Sequence, residues 1–290
     1  MITVRVPATS ANCSIGFDTL GLAFDWRSTI TFDKSETLKI TGCPDEFCTP
    51  DNLVYHAFDF ACKKSGIATP PVHIDIDSDI PFARGLGSSS QCVIAGLVGA
   101  NLFAALGLDT DQLLELAVEI EGHPDNVAPA LFGGLNVCVM EDGRIHRVQL
   151  EARDWKALVV IPGYEVSTPE ARKALPETVS LPDAAMQVGR AMLFEYAWVH
   201  QDEAQLYTSC KDILHEPSRA KLIRDYPAMQ ELSKTHQLPF WISGSGSTMA
   251  FLSQDEARLE ELKKEIEEKH PDLEVRLSRV SRLGAEAFYG

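Results

Sequence analysis

The sequence predicts an α+β protein in two parts, and three stretches carry that prediction. The alternating run Val72-His73-Ile74-Asp75-Ile76-Asp77 reads as a strand. It leads through Pro81-Phe82-Ala83-Arg84-Gly85-Leu86-Gly87-Ser88-Ser89-Ser90 into Gln91 to Leu106, a small-residue helix without Pro. Two alternating segments near 134–140 and 144–150 flank the turn Glu141-Asp142-Gly143 and read as a hairpin. A long helical zone over 183–232 is followed by a Glu- and Lys-rich helix at 254–269 and a strand from Leu273 to Val280. Helices packed on one face of a mostly antiparallel sheet give α+β architecture in both halves. The apolar strand Ala157 to Ile161 ends at Pro162-Gly163, which puts the boundary between a first domain, 1–156, and a second, 157–290.

The remaining elements follow from local signals. Strands are predicted near 2–7, 29–33 and 37–41, and helices near 52–65, 87–106 and 110–121. Asp109 or Thr110 serves the last of these as N-cap. The charges of 256–269 form a solvated helix face supported by pairs four residues apart.

Composition narrows the function classes. A net charge of −16 over 290 residues argues against nucleic acid or an anionic membrane as a non-specific partner, but not against a nucleotide held by local donors. No apolar run approaches membrane-spanning length. The seven cysteines are scattered without a C-x-x-C pair, which suggests neither zinc nor a disulfide framework and fits free thiols in a reducing, cytoplasmic setting.

The strand, glycine loop and helix start together make an anion site. A helix's first turn has N–H groups without internal partners and carries the positive end of the dipole. Gly85 and Gly87 let backbone approach an oxyanion, and Ser88, Ser89 and Ser90 add hydroxyls. No Lys lies between Lys64 and Lys156, so phosphate charge falls to N–H groups, Arg84 and a metal. The plainer alternative is a flexible turn with an N-cap.

Three further constellations stand out. In Pro7-Ala8-Thr9-Ser10-Ala11-Asn12-Cys13-Ser14-Ile15-Gly16-Phe17-Asp18, Asn12 can orient a hydroxyl and Asp18 can accept from an ammonium; a turn with Asx bonds is the alternative. In Glu119-Ile120-Glu121-Gly122-His123-Pro124-Asp125-Asn126, two carboxylates end a helix, where the dipole disfavours negative charge. Glu121 with a loop serine makes a Mg²⁺ clamp, unless both glutamates are simply exposed. His123 reads as a polar contact. Ser243-Gly244-Ser245-Gly246-Ser247, between two apolar runs, can close over the first glycine loop.

Together these pieces resemble the family of small-molecule kinases that includes galactokinase, homoserine kinase, mevalonate kinase and phosphomevalonate kinase. Pro81 through Ser90 is similar to its phosphate loop and Ser243 to Thr248 to its C-terminal glycine motif. The opening Pro7 to Asn12 with Gly16-Phe17-Asp18, the block His123 to Pro129, and the segments Thr168 to Pro176 and His215-Glu216-Pro217-Ser218-Arg219 resemble its homoserine-kinase branch over nearly the whole chain. Gln91 and Ser247 depart from the motifs, where a small residue and a Pro are usual.

The resemblance implies a cytoplasmic enzyme, a homodimer, that transfers phosphate from ATP with Mg²⁺ to L-homoserine. It implies that Asn52, Pro81, Gly85, Leu86, Gly87, Ser88, Ser89 and Ser90 hold the nucleotide, with Ser89 and Glu121 on the metal. It places Arg172 and Arg219 on the substrate carboxylate and Asp18 on the ammonium. Thr168 joins the substrate site, Asn12, Asn126 and His123 sit near the hydroxyl, and Arg84 supports the chemistry. An amide at Asn126, where relatives have an acid, implies catalysis by positioning without a strong base. The implied fold has a left-handed βαβ crossover in the N-terminal domain and a ferredoxin-like C-terminal domain. A sister kinase for another small alcohol and a non-catalytic nucleotide sensor are the competing readings.

Overall fold

A computed structural model of the chain describes every residue except Ala152. Two sheets and ten α-helices are laid out in the order β1 (Ile2–Ala11), β2 (Leu20–Lys34), β3 (Lys39–Thr41), α1 (Leu53–Lys64), β4 (Val72–Asp77), α2 (Ser88–Phe103), α3 (Thr110–Glu121), α4 (Pro124–Phe132), β5 (Leu135–Glu141), β6 (Arg144–Leu150), then β7 (Lys156–Ile161), α5 (Thr168–Lys173), α6 (Leu181–His200), α7 (Glu203–Ser209), α8 (Glu216–Arg219), α9 (Tyr226–His236), β8 (Phe240–Ile242), β9 (Met249–Ser253), α10 (Glu256–Lys269), β10 (Glu274–Arg279) and β11 (Glu286–Tyr289).

The first sheet runs β11-β1-β2-β4-β3, with the β5–β6 hairpin attached to the start of β2. β2 is long enough to serve both: residues 29–34 pair with β4 and residues 20–22 with β5. β3 and β4 are parallel and joined through α1, a βαβ unit. The second sheet is antiparallel in the order β10-β7-β9-β8. Numbered along the chain from β7, that order is fourth-first-third-second.

Local chemistry explains most boundaries. Asn52 caps α1 by accepting from Val54 N, and Asp109 and Gln112 cap α3 reciprocally. α2 is buried on almost every side and so needs small residues: a Cβ on Gly96 would lie 2.2 Å from Val54 O of α1. It stops at Phe103 rather than Leu106 because the Asn101 side chain exchanges two hydrogen bonds with the Leu108 backbone.

Two expectations change. The helical zone over 183–232 is four helices, α6 to α9, because Gln201 turns left-handed at the end of α6 and Pro217 and Pro227 start new helices. α4 was not expected over residues 124–132, since it carries two prolines; Pro124 is harmless at the first turn and Pro129 sits inside the helix.

Three buried clusters hold the layers. One lies between the first sheet and α1 to α4, and a third joins the second sheet to α9 and α10. The middle one fuses the sheets: Leu22, Phe24 and Trp26 of β2 meet Trp155, Val159 and Trp241, with Phe194 and Trp198 of α6. The Trp155 and Trp198 rings stack 5.8 Å apart, and Trp198 Nε1 donates to Glu151 O. All seven cysteines are free thiols, three of them buried and four half-buried. Among the described residues no helix is long and apolar enough to cross a membrane.

Trp198→Ala is expected to cost about 3–5 kcal/mol, by the emptied volume and the unpaired Glu151 carbonyl. Urea unfolding of the two proteins side by side measures it.

Candidate active site

One cavity of about 800 Å³ gathers the loops at the junction of the two sheets. Its walls include Asn12, Asp18, Asn52, Gly85, Gly87, Ser88, Ser89, Ser90, Glu121, His123, Asn126, Thr168, Arg172 and Arg219. Pro81, Arg84 and Leu86 are not among its walls. Leu86 is fully buried with its carbonyl accepting from Thr9 N, and Arg84, expected to meet phosphate charge, is paired with Glu165 at 2.9 Å.

The two glycine loops are stitched together. Ser243 Oγ donates to Gly85 O at 2.6 Å and Thr248 N to Arg84 O at 3.0 Å, while Gly244 N reaches Ala11 O. Gly87 is the left-handed N-cap of α2 (φ 65°). A Cβ there would lie 1.8 Å from Thr9 Oγ1 and 3.2 Å from Asn126 Oδ1, so glycine is needed for packing as well as for ligand approach. Both motif departures have structural work. Gln91 is buried and accepts from Ser28 Oγ at 2.8 Å, and Ser247 Oγ donates to Tyr164 O.

At the start of α2, the hydroxyls of Ser89 and Ser90 both donate to the Glu121 carboxylate, which α3 ends beside them. Glu119 points elsewhere, to Lys64 at 2.5 Å. No group of three or more His, Cys, Asp or Glu is placed to hold a metal among the described residues. One carboxylate and hydroxyls suit a hard cation that takes its other ligands from phosphates and water.

Asn52 spends its amide on protein groups, with Oδ1 on Val54 N and Nδ2 on Phe47 O. It therefore shapes this end of the cavity, whose walls are apolar: Cys43, Phe47, Leu53, Ile76, Phe82 and Ile120. The half-exposed rings of Phe47 and Phe82 stand 6.2 Å apart at its mouth. Neither was expected from the sequence, because a lone aromatic in a loop has no periodic signal.

The opposite end is polar and strained. Asn12, Cys13 and Ser14 are three successive left-handed residues, at φ 70°, 40° and 66°, each costing about 1–2 kcal/mol. The turn is held from all sides. Asn12 accepts from Asp18 N and donates to Gly244 O, His215 Nε2 donates to Ser14 O, and Gln187 of α6 donates to Ile15 O. Arg172 of α5 forms a bidentate pair with Asp18, both bonds 2.9 Å, and the Asp18 carboxylate raises the Arg172 guanidinium above its ordinary value. Thr168 Oγ1 lies 3.3 Å from Ser245 Oγ.

Arg219 is the most unusual group. It is 3% exposed, lines the cavity and joins no ion pair among the described residues. Nη1 donates to Gly244 O and, at 3.4 Å, to His215 Nδ1, while buried Nε has no hydrogen-bond partner. Burial pulls its guanidinium below the ordinary value, although Asp18, Asp125 and Asp212 act in the other direction. His215 donates through Nε2 and accepts at Nδ1, as a neutral imidazole does; burial holds its basicity down. The Phe17 ring lies under both guanidiniums, 5.1 Å from Arg219 and 5.7 Å from Arg172.

α4 brings the third wall. His123 Nδ1 lies 2.6 Å from the buried Asp125 carboxylate, whose hydrogen bond raises the imidazole above its ordinary value and favours the charged form. Asn126 Oδ1 accepts from Thr9 Oγ1 at 2.8 Å, which leaves its amide N–H groups as donors. Asp125, Thr9 and Phe17 lie within those stretches but were not singled out: Thr9 meets Asn126 across 117 residues, Phe17 acts by lying against two guanidiniums, and Asp125 acts through its neighbour His123.

Behind Arg219, burial, with Asp212 adding, pushes the Glu216 carboxyl up to about 8. Its ordinary value is 4.5, so between the two the folded state binds more protons than the unfolded one, and stability falls as pH rises through that window. Glu216→Gln keeps an acceptor for Ile242 N and is expected to flatten this slope. Urea midpoints of wild type and variant, compared from pH about 5 to about 8, check it; parallel profiles would refute it.

Comparison with known proteins accords with this geometry. Residues 52–134 match the GHMP kinases N terminal domain family. The chain is 41% identical over 274 residues to a homoserine kinase of Clostridium beijerinckii, covering 92% of this chain and 91% of that one. It superposes on a homoserine kinase from Cytophaga hutchinsonii with TM-score 0.86 at 26% identity, over 99% of this chain and 97% of the other. A mevalonate kinase of Methanococcus jannaschii shares the fold alone, with TM-score 0.71 at 16% identity over 97% and 98% of the two chains. A cavity lined by two interlocked glycine loops, together with this likeness over almost the full length, shows that the chain belongs to the homoserine kinase family of the GHMP kinases.

Proposed function

We propose that this chain phosphorylates the side-chain hydroxyl of L-homoserine with ATP, giving O-phospho-L-homoserine for threonine biosynthesis. The observation that carries the reading within the cavity is Arg219. A buried guanidinium with an unused N–H and no carboxylate of its own calls for an anion from outside the protein, and an amino-acid carboxylate is a planar match for it. The Asp18–Arg172 pair beside it offers one charge of each sign. A zwitterionic substrate can exchange with both, its ammonium on Asp18 and its carboxylate shared between Arg172 and Arg219.

The nucleotide phosphates then lie along Gly85 to Ser90 at the start of α2, with the base toward Phe47 and Phe82. Ser89 and Glu121 have the donor chemistry to hold Mg²⁺, which when bound neutralises charge on the β- and γ-phosphates. Asn12 and Asn126 orient the substrate hydroxyl. Asn126 cannot take a proton, and His123 is biased by Asp125 toward its charged form, so both act as donors near developing charge rather than as bases. Such a site works by position and electrostatics, which a loose phosphoryl-transfer transition state allows.

The reading extends to the architecture. It takes β3–α1–β4 as the left-handed crossover and the β10-β7-β9-β8 order as ferredoxin-like, with domains at 1–156 and 157–290 and β11 crossing back to the first sheet. It also takes the protein as a cytoplasmic homodimer.

ADP release, coupled to NADH oxidation, over homoserine, mevalonate, galactose and shikimate with and without Mg²⁺ tests the activity directly; turnover of mevalonate or galactose in preference to homoserine would remove the substrate assignment. Arg219→Leu is expected to weaken homoserine by about 2–5 kcal/mol while the Michaelis constant for ATP stays nearly unchanged. An amino alcohol lacking the carboxylate is the control. Wild type should use it poorly, and equal use of both substrates sinks the role of Arg219. Glu121→Gln is expected to lower turnover about 100-fold or more and Glu119→Gln to leave it unaltered; the reverse pattern transfers the metal role to Glu119.

A further inference from the structure

α6 turns two different faces outward and inward. Gln187, Phe194 and Trp198 point into the protein. Opposite them Leu181, Ala185, Val188, Gly189, Met192 and Tyr196 form one continuous stripe at helical spacing. The large members of that stripe are 82% (Leu181), 60% (Val188), 69% (Met192) and 51% (Tyr196) exposed. Nothing lies within 4 Å of where a Gly189 Cβ would be. The stripe itself is uncharged, on a chain whose net charge is −16; one carboxylate, the exposed Glu195 seven residues from Val188, borders it.

We propose that this stripe is the seam of a homodimer in which two α6 helices pack antiparallel about an axis passing between Val188 and Gly189. This rests on the homodimer reading above but not on the substrate assignment.

The sequence of side-chain sizes favours a second copy of the same chain as the occupant. About that axis Leu181 lies opposite Tyr196, Ala185 opposite Met192, and Val188 opposite Gly189. At each inner position a small residue faces a large one, which is how facing helices interdigitate without voids. Gly189 and Ala185 let the axes approach closely, near the lower end of the ~8–10 Å range of packed helices.

Charge agrees with size. Two chains of the same strong negative charge repel everywhere except across a neutral face. Antiparallel packing also sets the positive end of each helix against the negative end of the other. The large exposed side chains present on the order of 100 Å² apiece, and with Val179 and Met186 at the margin the six sum to about 600 Å², three-quarters of the ~800 Å² per partner of a standard interface.

Sedimentation across a wide concentration range is the first measurement. Wild type is expected to be a dimer, and Met192→Glu, at a position open to solvent in the single chain, to dissociate at about 30-fold or more higher concentration. Unchanged kinase turnover in Met192→Glu shows that the variant is folded. The register is read with Ala185→Cys combined with Met192→Cys. Within one helix these lie about 10 Å apart, too far to bridge. Oxidised glutathione should therefore link the double variant into a covalent dimer, while wild type and each single variant stay unlinked. A wild type that is monomeric throughout overturns the seam together with the homodimer. A dimer indifferent to Met192→Glu, or a double variant that does not link, leaves the homodimer standing and overturns the seam.

Discussion

A guanidinium buried without a counter-ion among the described residues organises the substrate end of this molecule. Placing Arg219 at 3% exposure costs several kcal/mol unless polar groups and charges surround it. The surroundings meet that need indirectly. The Gly244 carbonyl and the neutral His215 accept from one nitrogen, the Phe17 face offers its quadrupole, and Asp18, Asp125 and Asp212 supply field from a distance. Each of these is itself held. Asp212 accepts from the backbone N–H groups of His215 and Glu216, fixing the start of α8, and Gln187 ties Asp212 to the strained turn at Ile15. The strained turn, the short helix and the second glycine loop therefore share one support.

That support explains which parts were legible in the sequence. Elements with a local signal could be read: β4 from its alternation, α3 from its N-cap at Asp109 or Thr110, the β5–β6 hairpin from its Asp-Gly turn. The glycine loop could be read because its residue types are forced by backbone geometry. The homoserine-type assignment came from resemblance, since nothing in the spacing of Arg172 and Arg219 says that they meet. They meet only because α5 and α8 are folded over the same Phe17 ring. Glu119 and Glu121 could not be told apart from their helix position alone. Two residues apart, they project about 160° away from each other, so one faces Lys64 and the other the serines. β11 escaped notice because its four residues carry too little pattern to register.

The cavity is mixed in charge, and its acids are mostly engaged by protein groups. Asp18 is paired with Arg172, Asp125 with His123, Glu165 with Arg84, and Glu121 accepts from two serines, while Arg219 and the start of α2 remain as donors. The surrounding negative surface slows the approach of polyanions such as nucleic acid. A small anion that enters the cavity meets local donors at close range, where they outweigh the screened global field. Selection among anions is thus made by depth as well as by contact.

The return of β11 to the first sheet has a consequence for how the chain comes into being. Ile2 of β1 pairs with Tyr289, and Arg27 of β2 donates to the carbonyls of Leu283 and Gly284. During synthesis β1 emerges long before β11, so the outer edge of β1 stands uncovered while all the elements between them are made. The sheet that builds the nucleotide end can assemble early, but it cannot close this edge until β11 has been delivered. A chain stalled just short of β11 therefore presents two built sheets with one open strand edge, the form in which a sheet is most ready to pair with the wrong neighbour.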